Sequence, residues 1–518
     1  MQIDKVIVTN VTALRAKYGS KYAKVTAALA ALKASDAARG LTSRLVAIDS
    51  AVQMKAAGGK PVSGTADERG TKAAIDAVYR KYRPDYLMIL GAPDVVPHIK
   101  LTNPMRGTDE DDDDPNVPSD LPYACEAPFA RVPSRFIGPT RVVGRLPDER
   151  GATSPELLLR LIRTAAGHLC RDRSDYAGHF ALSAKVWQKS TRLSAETLFG
   201  PGAAVLTSPP DGPGWSKAQL APRVHFINCH GDTIASKYFG EFPKGKFVDA
   251  HDSARLPGRV TEGSVIAAEC CYGAELYAPD DADGARGISS TYLDEGAYGF
   301  FGSSNIAYGP SEGNGQADLI CRFFLEAVLN GGSLGRAAVE ARQKYVAQYS
   351  HLDPSDLKTA VQFNLLGDPS IHPVKHVSHS FSKTAMMKKA RKSGVVSDGA
   401  RAFRRERINR TGHNLSRTVG AASAAKLRPP PAVKQLLEAA ARESGLTTTT
   451  YHSYRVKFPA EANQASSAGT RTSRRERTIH VVQGRTGSEG DLRRPRLTAV
   501  IATLERGRIV HIRRVHSR

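Results

Sequence analysis

The chain has 518 residues, 41% hydrophobic and 24% charged, the balance of a globular protein of about three domains rather than a disordered or fibrous one. No apolar run approaches the roughly 18 residues of a membrane span, and Met1 leads almost directly into Lys5-Val-Ile-Val-Thr-Asn10 without the features of a secretory signal, so a cytoplasmic protein is expected. The net charge of +22 is unevenly placed: residues 377–518 hold 30 Lys and Arg against 9 Asp and Glu, which leaves the first 376 residues close to neutral.

The first 150 residues alternate between strand and helix. Val6-Ile-Val8, Leu45-Val-Ala-Ile48 and Tyr86-Leu-Met-Ile-Leu90 read as short apolar strands, separated by helices over about 12–38 and 66–82. Such an order requires right-handed crossovers and a mainly parallel sheet covered by helices. A Pro-, Asp- and Asn-rich loop follows over 104–122, and its block Asp109-Glu-Asp-Asp-Asp-Asp114 is expected to be a mobile surface loop. Its oxygens could serve calcium, although the spacing is not that of an EF-hand, and otherwise no cofactor is expected. Arg141-Val-Val-Gly-Arg-Leu-Pro147 is one more strand with an exit turn.

Residues 151–376 form a second α/β block, with strands at 181–187, 203–206, 224–228, 264–268 and 299–302 and helices at 154–169, 286–296, 315–330 and 333–348. From 377 to 450 the composition turns to Lys, Arg, Ser, Ala and Gly, which reads as a basic flexible linker. Tyr451 to Phe458, Thr478 to Val482 and Leu497 to Val515 alternate like strands, the last with a hairpin turn at 505–508, so residues 451–518 are expected to form a small β-rich module. The basic tail also suggests an acidic partner, nucleic acid or an acidic protein; a solvated basic surface explains it as well.

Two strands in the second block end in reactive groups. Val224-His-Phe-Ile-Asn-Cys-His230-Gly231-Asp232 places an imidazole where an apolar strand meets a loop, the end of an α/β sheet at which ligands collect. Gly231 lets backbone come close to a substrate, so its N–H could donate to an oxyanion. Ser264-Val-Ile-Ala-Ala-Glu269-Cys270-Cys271-Tyr272-Gly273 ends the same way with two thiols. A thiol needs a base to attack an amide, and imidazole is the usual one. Each motif alone has an ordinary structural reading, a hydrogen-bonded His or a buried small Cys. Together on two strand ends they point to a Cys/His pair. The six cysteines are otherwise too sparse for a disulfide framework, and no Cys-x-x-Cys suggests zinc.

These motifs resemble the caspase-like cysteine peptidases, most closely the gingipain and CHAT branches. Tyr86-Leu-Met-Ile-Leu-Gly-Ala-Pro-Asp-Val-Val-Pro97, Asp120-Leu-Pro-Tyr-Ala124, Val143-Gly-Arg-Leu-Pro147, Gly296-Ala-Tyr-Gly-Phe-Phe-Gly-Ser303 and Phe363-Asn-Leu-Leu-Gly-Asp-Pro369 resemble further landmarks in order. The resemblance covers residues 1–376. It implies a three-layer α/β/α fold, with a non-catalytic subdomain over 1–150 and a catalytic one over 151–376. It also implies an endopeptidase acting on protein or peptide substrates through a Cys/His dyad. Glu269-Cys270-Cys271 fits the pattern that makes Cys271 the nucleophile, which is favoured; the gingipain spacing of the following Gly selects Cys270 instead. Backbone N–H groups of Gly231 and Cys271 would hold the oxyanion, and Asp232 is read as a loop carboxylate without a role. Glu269, two residues before Cys271, resembles the metacaspase position that receives a basic P1 residue, and Ser303 and Ser304 could form a pocket wall. The alternatives are a catalytically inactive caspase-fold scaffold and a nucleic-acid-binding protein acting through its basic tail.

Overall fold

A computed structural model describes residues 2–107, 112–242, 246–310, 312–375, 396–446, 449–459, 476–486 and 496–518. In the first block, β1 (Lys5–Thr9), β2 (Ser43–Ala47) and β3 (Tyr86–Leu90) lie side by side in parallel, a two-stranded hairpin of β4 (Ile99–Thr102) and β5 (Asn116–Ser119) stands off the sheet, and β6 (Val143–Leu146) joins β3. The second block adds β7 (His179–Ala184), β8 (Leu206–Ser208) and β9 (Val224–Asn228), then a small antiparallel sheet of β10 (His230–Gly231), β11 (Lys237–Glu241) and β12 (Phe247–Asp252). It continues with β13 (Val265–Ala268), β14 (Gly299–Ser303), β15 (Tyr308–Pro310), β16 (His351–Leu352) and β17 (Phe363–Gly367).

One ten-stranded sheet, in the order β2-β1-β3-β6-β17-β14-β13-β9-β7-β8, runs through both blocks. All neighbours are parallel except β14 and β17. Every residue of β1, β3, β9, β13, β14 and β17 is buried. Because successive strand residues face opposite ways, both faces of the sheet are covered, and this is the three-layer caspase-like α/β architecture.

Buried ion pairs hold the sequence landmarks together. Arg145 on β6 donates to both carboxylate oxygens of Asp120, at 2.8 and 2.6 Å. Lys5 at the start of β1 lies between Asp36, 2.9 Å away, and Asp368 just after β17. Each of these charges is buried, so removing one partner would leave the other unpaired in a low-dielectric setting, at a cost of about 3–5 kcal/mol.

Part of the acidic loop departs from the expectation of an exposed segment. Asp112 is fully buried, 2.5 Å from the buried amine of Lys358, and accepts from the Tyr308 hydroxyl at 2.8 Å; Asp114 accepts from the Tyr272 hydroxyl at 2.8 Å. The buried cation of Lys358 supplies the counter-charge that self-repulsion within the block does not allow for. Residues 108–111 of the block lie outside the described residues. Among the described residues, no group of three or more His, Cys, Asp or Glu side chains is placed to hold a metal, and no helix is long and apolar enough to cross a membrane.

In the stretch read as linker, the structure places a helix, Val396–Thr418, followed by β18 (Gly420–Ala424) and a second helix, Pro431–Glu443. The first helix lies against the body: Arg405 pairs with Asp85 at 3.1 Å, and Gln343 donates to the Ile408 carbonyl at 2.8 Å. Three tail strands follow the second helix, β19 (Thr450–Lys457), β20 (Arg477–Thr486) and β21 (Arg496–Glu505), and then β22 (Arg508–Ser517). They form a seven-stranded sheet, β15-β22-β21-β20-β19-β18-β16, whose two edge strands come from the second α/β block. The tail sheet is therefore continuous with the body at both edges.

Candidate active site

β9 and β13 are adjacent and parallel, with Ala268 opposite Ile227, so the chain leaves both strands at the same end of the sheet. That end carries His230 and Gly231 from one strand and Cys270 and Cys271 from the other. The two turns touch through backbone: a Cβ on Gly231 would sit 1.7 Å from the carbonyl oxygen of Cys271. No residue but glycine fits there.

The two thiols have different surroundings. Cys270 is buried in the core, its sulfur 4.0 Å from the Ile227 carbonyl, and burial pushes its thiol pKa far up. The Cys271 sulfur instead accepts from the backbone N–H of Ala307 at 3.2 Å. Burial pushes this thiol up to about 12, so at neutral pH it is protonated and needs a base. Directly after it, Tyr272 has a φ of 53°, a left-handed conformation that a bulky side chain adopts only when held. Its hydroxyl on Asp114 and its N–H on the Asn305 carbonyl, at 3.0 Å, hold it.

The imidazole of His230 bonds through Nε2 to Glu241 on β11, at 2.7 Å. Its ring lies 4.2 Å from that of Trp187, centre to centre, and meets Phe247 edge-on. Burial lowers the His230 pKa below the usual imidazole value, against the opposing pull of Glu241, so the ring is neutral at pH 7. Burial also acts to raise Glu241, but His230 and Arg496 outweigh it and keep the carboxylate ionised. Arg496 reaches Glu241 from β21 at 2.8 and 3.1 Å. Asp232 accepts the Thr233 N–H at 2.8 Å and so caps its own turn. The carboxylate on His230 is Glu241.

A backbone oxygen already sits in front of this constellation. The backbone oxygen of Arg518 accepts from Cys271 N–H at 2.9 Å and from Gly231 N–H at 3.3 Å. The Arg518 side chain is fully buried, with its guanidinium 4.4 Å over the ring of Trp187. Nη2 donates to both oxygens of Asp318, at 3.2 and 3.1 Å, and to the Pro310 carbonyl at 3.1 Å. A Cβ on Gly309 would lie 2.2 Å from that guanidinium, so glycine in this wall is what leaves room for the side chain as it is placed.

Of the residues singled out from sequence for the pocket, Glu269 is fully buried beside Asp318. Burial and the Asp318 charge raise its pKa well above the carboxylate range, so it is protonated, and Asp318 makes the direct contact with the guanidinium. The Ser303 hydroxyl donates to the Cys270 carbonyl at 2.7 Å, bracing the turn from behind. Ser304 donates to the Pro118 carbonyl at 2.5 Å, on the β4–β5 hairpin. Trp187, Glu241, Asp318, Ala307 and Gly309 were not read from the sequence. Asp318 carried a signal: it is the one acid within the mainly apolar buried face of the helix Gln316–Leu329. A cavity of about 1400 Å³ lies elsewhere, between β18, β19 and the loop at 102–106.

Residues 230–374 match the family model described as Peptidase family C25. The matched stretch begins at His230 and contains Glu241, both thiols, Gly309 and Asp318. The caspase-like resemblance is thus met over this region, where the chain is similar to a peptidase family. A solved structure titled "Structure of Protease" is similar over 99% of this chain and 97% of its own, at 12% identity and a TM-score of 0.46. No curated protein matches the chain.

Proposed function

We propose that the protein is a cysteine endopeptidase that cleaves after basic residues, with Cys271 as nucleophile and His230 as general base. The observation that carries this reading is the Arg518 backbone oxygen, held by two backbone N–H groups from different strand ends while its side chain meets Asp318. Those N–H groups are where a tetrahedral oxyanion would need donors. In the proposed reaction His230 takes the Cys271 proton as sulfur attacks the P1 carbonyl. The N–H groups of Gly231 and Cys271 hold the oxyanion, and the imidazolium returns its proton to the leaving amine. Water, deprotonated by His230, then attacks the thioester and releases the acyl group. Asp318 supplies the anionic receptor for P1, with Trp187 and the Gly309 wall shaping the slot for a flat guanidinium.

Digestion of an unbiased peptide library, followed by mapping of cleavage positions, tests the reading. Cuts confined to bonds after Arg, with fewer after Lys, are expected; cuts after acidic or apolar residues, or none even with Arg518→Ala, which clears the resident side chain from the pocket, would overturn it.

Glu241 acts in this scheme as a positioning residue for the imidazole. Its carboxylate raises the His230 pKa, so Glu241→Gln lowers that value further. The acid limb of the kcat/KM profile should then move to lower pH, because the base stays neutral further down. The rate on the plateau should fall by about 100-fold as the imidazolium loses its partner. A fall in rate with an unmoved acid limb would show that Glu241 serves the fold alone.

A further inference from the structure

We infer that the last residues of this chain, Val515–Arg518, are an in-cis occupant of the substrate cleft, bound as the P4 to P1 residues of a peptide and excluding others from it. The inference rests on the peptidase reading above and adds the regulation of that site. Three sets of contacts agree on one register. β22 pairs antiparallel with β15, with Ser517 opposite Tyr308, His516 opposite Gly309 and Val515 opposite Pro310. This is strand addition, in which main-chain bonds give affinity and alternate side chains enter pockets. Arg518 N–H then donates to the Ala307 carbonyl at 2.9 Å, and the Ala307 N–H bonds the Cys271 sulfur, so one residue ties the bound chain to the nucleophile. Finally, the residue whose backbone oxygen reaches Gly231 and Cys271 is also the one whose guanidinium fills the Asp318 pocket. A register slip of one residue would satisfy neither.

Occupancy leaves no room for a second peptide. Arg518 is 0%, His230 2% and Cys271 3% exposed. The other edge of β22 is bonded to β21, where Leu497 N–H donates to the Ser517 hydroxyl at 2.8 Å and Thr498 bonds His516 at 2.7 Å. The occupant is thus delivered by a folded sheet, and binding within one molecule needs little affinity per contact because the effective concentration is high. Access requires only that Val515–Arg518 peel from β15, an opening of one strand end rather than of the domain.

The test uses the full chain and two readouts, alkylation of Cys271 by a small haloacetamide and hydrolysis of a short peptide with P1 Arg. Arg518→Ala should alkylate at least about 10-fold faster than the unaltered chain and hydrolyse the peptide faster. The octapeptide His-Ile-Arg-Arg-Val-His-Ser-Arg, matching residues 511–518, should protect the variant from alkylation, and the same peptide ending in Ala should not. Gly309→Ala provides a second variant that leaves the tail sequence intact: by filling the pocket it should also speed alkylation, while abolishing cleavage after Arg. Equal alkylation rates in all three proteins, or no protection by the octapeptide, would overturn the inference. Faster alkylation without hydrolysis would leave tail occupancy standing and remove the peptidase reading instead.

Discussion

Replacing Cys271 by Ala is expected to reduce peptide hydrolysis by about 10⁴-fold or more, while Cys270→Ala keeps activity within about tenfold of the unaltered chain. The adjacent thiols differ in what each faces. Strand alternation sends their side chains opposite ways. The Cys270 sulfur is turned into the core near Ile227, and the Cys271 sulfur lies on Ala307, whose carbonyl accepts from the Arg518 N–H. Loss of the Cys270 side chain would cost stability of about 1 kcal/mol through the small cavity it leaves. Because the tail covers the site, both substitutions are best compared in the Arg518→Ala background, by initial rates on a P1 Arg peptide and by mass mapping of the alkylated residue. Retained activity in Cys271→Ala, or alkylation at Cys270 alone, would move the nucleophile to the neighbouring residue.

Much of the frame behind this prediction was legible in the sequence. The strands at 86–90 and 224–228 have the bounds read from their apolar runs, because strands buried on both faces leave no polar positions to blur them. The turns after β9 and β13 stood out because each places a reactive side chain beside glycine at the end of such a run. What stayed hidden depends on long-range contact. Glu241 belongs to a short strand off the main sheet, and its role exists only because β11 folds back beside His230. Trp187 read as the end of a strand but sits in a turn against two parts of the site, the His230 ring and the Arg518 guanidinium. β15, β16 and β18 are two to five residues long and carry no periodicity of their own; they are strands only because the tail sheet pairs with them.

The basic tail illustrates the same limit. Charge counting sees a surplus and looks outward for an acidic partner. Within the molecule, Arg496 meets Glu241, Arg513 meets Asp353 and Asp356, and Arg518 meets Asp318, three acids or acid pairs supplied by the neutral body. Part of the tail's positive charge is thus answered at the candidate active site itself, which composition along the chain cannot register.

Asp318→Asn should be the substitution most damaging to specificity. The acid is fully buried and held by the Ser190 hydroxyl at 2.7 Å, so it is fixed before any guanidinium arrives. An amide of the same shape keeps the packing but leaves a P1 cation buried without its counter-charge, a loss of about 3–5 kcal/mol, or roughly 10²–10⁴ in kcat/KM for Arg substrates. The same change weakens Arg518 as the resident occupant, which would raise apparent activity, so the two effects oppose each other in the intact chain. Measuring Asp318→Asn on top of Arg518→Ala separates them: there the loss for P1 Arg should appear in full, while a substrate with a neutral P1 side chain, slow in both proteins, should change little. Equal losses for charged and neutral P1 peptides would mean that Asp318 supports the fold of the site and does not read the substrate.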